Sequence, residues 1–178
     1  MKRFILTGTP GSGKTAILRQ LEMDGFGVVE EAATDVIALQ QAQGIAEPWT
    51  YPAFIGAVAD LQRQRLRRVA DPVQFHDRSI FCTRALAEYL GFPVSDSVAS
   101  EMDRIRDEAL FDRTVFIVRN LGFVTPTNAR RISLEESLRF EQIHQDVYRK
   151  AGFNLAWVEP GDLADRVAAI RAVVREAS

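Results

Sequence analysis

Eight residues near the start of the chain, Gly8-Thr9-Pro10-Gly11-Ser12-Gly13-Lys14-Thr15, satisfy the pattern G-x-x-x-x-G-K-[ST] at every fixed position. The chemistry this spacing suits is the holding of a triphosphate. Glycines free the backbone N–H groups to turn inward around phosphate oxygens, where a Cβ would intrude. The ammonium of Lys14 reaches the β- and γ-phosphates, and the hydroxyl of Thr15 binds Mg²⁺. The chain has only three lysines among its 22 basic residues, and one of them falls where the motif needs it.

Three further groups have the right types to act on a bound phosphate. Glu30 and Glu31 follow Val28-Val29. A carboxylate there can accept the proton of a hydroxyl attacking the γ-phosphate. It can equally be a solvated acid at a helix start, favoured by the macrodipole. The residues alone leave both roles open for Glu31, favour the second for Glu30, and do not decide which of the two faces the site. Asp77-Arg78-Ser79 follow Phe75-His76. Asp77 suits the water shell of the loop's Mg²⁺, and Arg78 offers a planar fork to phosphate or substrate. The structural alternative makes Asp77 and Ser79 helix caps and Arg78 part of an ion pair. Arg130 and Arg131 lie in an irregular stretch, about residues 120–132, that could act as a lid and neutralise charge developing in transfer. Surface arginine is the competing account, and Arg139 is a weaker candidate. Arg63, Arg65, Arg67 and Arg68 spread around a helix and read as a solvated face. Trp49, Tyr51 and Phe54 read as packing, with stacking on a planar group as the alternative.

These residues need elements to position them. Apolar runs predict strands at about residues 4–7, 27–30, 72–76, 114–118 and 154–158. Helical patterns fill the intervals: from residue 16 to about Gly25, then 32–43, 54–66, 80–90, 97–110 and from Ser133 to Gly152. Ser133-Leu134-Glu135-Glu136 is a capping box. A last helix follows Asp162, with Leu163, Val167, Ile170 and Val174 as its apolar stripe. Strands alternating with helices predict an α/β domain with a five-stranded parallel sheet and helices on both faces. Ligands bind at the carboxyl ends of such strands. That rule gathers the loop, Glu30/Glu31, Asp77/Arg78 and the stretch after Val118 at one edge.

At 178 residues, the simplest expectation is a single domain, 1–178. A net charge of −2 offers no broad nucleic-acid footprint. The lone cysteine, Cys82, excludes an internal disulfide framework and a thiolate zinc cluster. Neither a leader sequence nor a membrane-length apolar run is present, so a cytoplasmic protein is expected.

Taken in order, GTPGSGKT, VVEEAA, FHDRS, NARR and VEPGDLADR resemble the P-loop kinase-like domains known as "AAA domain" or "AAA family ATPase". More remotely, the pattern is similar to nucleoside and nucleotide kinases. The resemblance implies a three-layer P-loop NTPase sandwich that uses ATP and Mg²⁺. It implies catalytic roles for Lys14, Glu31, Asp77, Arg78, Arg130 and Arg131, with Thr15 and Asp77 serving the metal. Gly8, Pro10, Gly11, Ser12, Gly13, Lys14 and Thr15 would bind the nucleotide, and Pro160, in the loop Glu159–Asp162, would lie against the adenine. Thr34 is a departure, since the kinase-like pattern commonly has an arginine three residues after the strand-two acid. A ring motor is disfavoured, because little sequence remains for a helical lid domain. A GTPase switch is disfavoured too, because N-K-x-D is absent. The expected activity is phosphoryl transfer from ATP to a small-molecule hydroxyl or phosphate acceptor, with a nucleoside-like molecule as one candidate. The alternative is a regulatory NTPase switch acting on a protein partner. No nucleic acid or membrane partner is expected, and the oligomeric state stays open.

Overall fold

The structure is a computed structural model that describes residues 1–68, 71–121 and 133–176. Five strands, β1 (Lys2–Thr7), β2 (Gly27–Val29), β3 (Val73–Asp77), β4 (Thr114–Val118) and β5 (Asn154–Val158), pair in the order β2-β3-β1-β4-β5. Every pairing is parallel. The reason is visible in β1, where Phe4, Ile5, Leu6 and Thr7 are all fully buried. A continuous run of this kind suits a strand covered on both faces. Its alternation then divides the core. Phe4 and Leu6 join Phe75, Phe116 and Val118 on one face, whereas Ile5 joins Val115 and Ile117 on the other.

Two helices, α1 (Lys14–Met23) and α7 (Leu163–Glu176), cover the first face through Ile17, Leu21, Val167 and Ile170. The second face carries α2 (Ala32–Ala42), α3 (Ala53–Arg68), α4 (Ile80–Leu90), α5 (Asp96–Asp107) and α6 (Leu134–Lys150). A short 3₁₀ turn, Pro48–Thr50, precedes α3. The ends of these helices are chemically marked. Ser133 Oγ accepts from Glu136 N at 3.1 Å while Glu136 Oε2 accepts from Ser133 N at 2.7 Å, which completes the expected capping box. Gly91 closes α4 in the left-handed region at φ 73°. One detail of the α7 stripe differs from expectation. Val167, Ile170 and Val174 are buried, but Leu163 is 40% exposed, and Arg166 takes the buried place near the helix start. No described helix is long and apolar enough to cross a membrane.

Candidate active site

The loop between β1 and α1 is held from beneath. A Cβ on Gly8 would sit 2.5 Å from the Val118 carbonyl oxygen, so only glycine lets the loop leave β1 against β4. Gly13 has φ +77°, and a Cβ there would meet Arg166 Nη1 at 2.9 Å. On the outer side Pro10 O accepts from Asn120 Nδ2 at 3.2 Å. The start of α1 has no side-chain cap and no acid in its first turn, which leaves its N–H groups and its dipole available to an anion. Thr9 Oγ1 is buried with no hydrogen-bond partner among the described residues. These features fit a phosphate chain.

Lys14 and Asp77 form an ion pair between side chains only 8% exposed. Burial and the charge of Glu31 push the Asp77 carboxyl above its ordinary value, against the pull of Lys14. The next residue, Arg78, is strained: a non-glycine residue at φ 71°, its N–H bonded to Leu6 O at 3.0 Å. This conformation turns the guanidinium back across the site. Arg78 Nε donates to Glu31 Oε1 at 2.5 Å, and Nη1 donates to His144 Nε2 at 3.2 Å. His144 is then fixed in one tautomer, because its Nδ1–H donates to Phe140 O at 2.8 Å. Burial first, and Arg78 second, lower the His144 pKa to about 3, so the ring is neutral. For Glu31, burial raises the pKa, yet Arg78, Lys14 and a 2.7 Å hydrogen bond from Thr34 Oγ1 outweigh it and hold the carboxyl at about 2.

Glu31 and Arg78 line one cleft of about 980 Å³. Gly11, Gly13, Lys14 and Thr15 of the loop line it too. Its apolar lining is Ile37, Trp49, Phe54, Tyr89 and Phe140, among others. One polar pair interrupts this lining: Thr83 Oγ1 donates to Gln62 Oε1 at 2.7 Å. Cys82 also borders the cleft, bonded to Thr7 Oγ1 at 3.2 Å and to Tyr148 OH at 3.0 Å.

The structure brings together the loop, Glu31, Asp77 and Arg78. Pro10, Ser12 and Thr15 line the cleft, while Gly8 lies below it. Glu30 points away and pairs with Arg19 at 2.5 Å. Pro160 is exposed and outside the cleft lining. Arg130 and Arg131 lie outside the described residues. Trp49 and Phe54 serve both as core packing and as cleft wall, whereas Tyr51 is 58% exposed. Sequence reasoning missed His144, the Gln62–Thr83 pair and Arg166. A faint signal existed for the first, a histidine within the buried face of α6 between Phe140 and Tyr148.

Comparison with known proteins adds the following. A family model described as "AAA domain" matches residues 3–166. No curated protein matches at a significant level. A structure of deoxyadenosine kinase from M. mycoides, with the products dCMP and a flexible dCDP bound, superposes with a TM-score of 0.68 at 13% identity and covers 99% of this chain and 100% of that one. The same enzyme with bound dATP gives 0.65 at 12% identity, over 98% of this chain and 100% of that one. NadR protein in complex with NAD and AMP-PNP gives 0.68 at 15% identity, covering 96% of this chain and 49% of that chain. Identities this low speak for a shared fold. The five-stranded parallel order, the phosphate loop at the carboxyl end of β1, and a match that extends into α7 make this chain a member of the AAA domain family.

Proposed function

We propose that this protein transfers the γ-phosphoryl group of ATP to a hydroxyl of a small, nucleoside-like acceptor. The observation that carries this reading is the position of the Glu31–Arg78 pair. The pair shares one cleft with the phosphate loop and with an arm lined by Ile37, Trp49, Phe54, Tyr89 and Phe140. A switch that only hydrolyses nucleotide has no use for such an arm, whereas a kinase must seat a second substrate there.

In this reading Lys14 leaves Asp77 for the β- and γ-phosphates. Thr15 and Asp77 are the residues that would hold Mg²⁺, which would supply positive charge to the phosphates when bound. Among the described residues no group of three or more His, Cys, Asp or Glu side chains could hold a metal by itself. Glu31, kept ionised by Arg78, accepts a hydrogen bond from the acceptor hydroxyl and takes its proton late. The acceptor oxygen then bonds to phosphorus as the bridge to the β-phosphate breaks. In the apolar arm, Trp49, Phe54 and Tyr89 offer faces to a planar group, and Gln62 with Thr83 offers it a hydrogen-bonding edge. The M. mycoides protein of similar fold is a deoxyadenosine kinase, which supports a nucleoside-like acceptor.

The test is a screen of ATP and Mg²⁺ with panels of nucleosides, nucleotides and sugars, read by the mass of the phosphorylated product. One acceptor should gain the mass of a phosphoryl group at a rate well above basal hydrolysis. If every small acceptor fails while basal hydrolysis persists, the kinase reading falls.

A further inference from the structure

Arg166 takes no part in the chemistry above, yet it is built against the phosphate loop. It is 6% exposed, on the first face of the sheet. Its Nη2 donates to Ser12 O at 2.8 Å and reaches Arg119 O at 3.5 Å. Its Nη1 lies 2.9 Å from the place a Cβ on Gly13 would occupy. The Nε is buried with no hydrogen-bond partner, and no carboxylate pairs with the guanidinium among the described residues.

Such a group is unusual. Buried arginines are nearly always paired, and a buried charge without a counter-ion is strongly destabilising. Arginine cannot escape by losing its proton. Two neutral carbonyls satisfy some of its donors and leave the charge uncompensated. The loop beside it is built to hold anions. Its carbonyl at Ser12 points out toward Arg166, which leaves the opposite side of the loop for N–H groups and phosphates. Arg166 approaches the loop at Gly13, which has no side chain to hold it off.

We propose that Arg166 is a positioning residue for the donor nucleotide. The phosphates compensate its buried charge across Gly13, and its fork fixes the loop by the Ser12 carbonyl. The same fork touches the end of β4 at Arg119, so α7, the loop and the start of the segment after β4 are tied at one point. This inference rests on the donor half of the proposed function and is independent of the acceptor.

The experiment uses the full chain with Arg166→Gln and Arg166→Lys, titrated calorimetrically with ATP, ADP and AMP in Mg²⁺. Glutamine keeps a donor for the Ser12 carbonyl without charge. Lysine keeps the charge without the fork. Arg166→Gln should weaken ATP binding by about tenfold or more, ADP binding less and AMP binding least. Arg166→Lys should stay closer to the parental ratio of ATP to AMP affinity. An equal loss for all three nucleotides, or no loss, makes Arg166 a scaffold residue and overturns the inference. If Arg166→Gln does not fold, the lysine variant decides: a parental ratio supports the proposal, and a collapsed ratio in a folded protein removes it. A parent protein that binds no nucleotide overturns the donor reading itself, whereas phosphate-graded binding in the parent leaves that reading standing whatever the variants do.

Discussion

Glu31→Gln probes the acceptor half of the site. The carboxylate accepts from Arg78 Nε at 2.5 Å and from Thr34 Oγ1 at 2.7 Å. Its pKa of about 2 compares with an ordinary 4.5. That gap corresponds to at most ~3 kcal/mol of stability. With 23% of the Glu31 side chain exposed, screening reduces the figure, and about 1–2 kcal/mol is expected. The sign follows from the lowered native pKa. The contribution is complete above about pH 4.5 and is lost as the pH falls toward 2. Glu31→Gln should therefore lower the denaturation free energy at pH 7, and its deficit should shrink as the pH drops below 4.5. On activity the effect is larger. Loss of a positioned base should slow transfer to the acceptor by about two to four powers of ten. ATP binding should stay near the parental value, because in the proposed reading this side chain serves the acceptor. Urea titrations at pH 7 and pH 3, together with single-turnover rates with and without the acceptor, measure both effects. Transfer at the parental rate would remove Glu31 as the base, and a deficit of equal size at both pH values would remove the ion pair as its cause.

Three further outcomes are expected. Lys14→Ala should slow turnover by about 10²–10³-fold in a folded protein, a loss of about 3–4 kcal/mol in transition-state stabilisation; a purified variant with full activity refutes the loop's role. Asp77→Asn should weaken Mg²⁺-dependent turnover more than Mg²⁺-free nucleotide binding, since the amide keeps the shape and drops the charge; an unchanged Mg²⁺ dependence makes Asp77 structural only. Both histidines are held at about 3, His76 by burial and Arg3, His144 by burial and Arg78, so stability should fall as the pH drops from about 6.5 toward 3. Proton NMR should then show no histidine ring titrating between about pH 5 and 8 in the folded protein, and a midpoint near 6.5 would contradict the burial of these rings.

Local chemistry made part of this molecule legible in its sequence. β4 and β5 fall on residues 114–118 and 154–158 as expected, because continuous apolar runs flanked by polar residues admit few other readings. The phosphate loop was legible for a stronger reason, since its function constrains residue identity as well as hydropathy. The second strand ends one residue early, at Val29, because Glu30 turns outward to Arg19. The first helix begins at Lys14 instead of residue 16, because the last turn of the loop already has helical geometry. The contacts that tune the site were illegible. Arg78 meets His144 across 66 residues, and Arg166 meets Ser12 across 154. No local pattern encodes such pairs; only the packing of α6 and α7 on opposite faces of the sheet creates them. The strain at Arg78 was equally hidden, since nothing in DRS marks a positive φ.

The division of the core between the two sheet faces bears on how such a domain can change over evolutionary time. The face bearing α1 and α7 supports the phosphate loop, whereas α2, α3, α4 and α6 supply the apolar arm. Ile37, Trp49 and Tyr89 pack in the cluster on the second face, whereas Ile17, Leu21 and Val167 pack in the cluster on the first. Changes whose side chains share no partner across the sheet should combine additively. A lineage could reshape the cleft lining by altering residues such as Ile37, Trp49 or Tyr89 and keep its phosphate loop intact. Recombining the helices of one layer among relatives offers a practical route to differently lined clefts beside an unchanged loop.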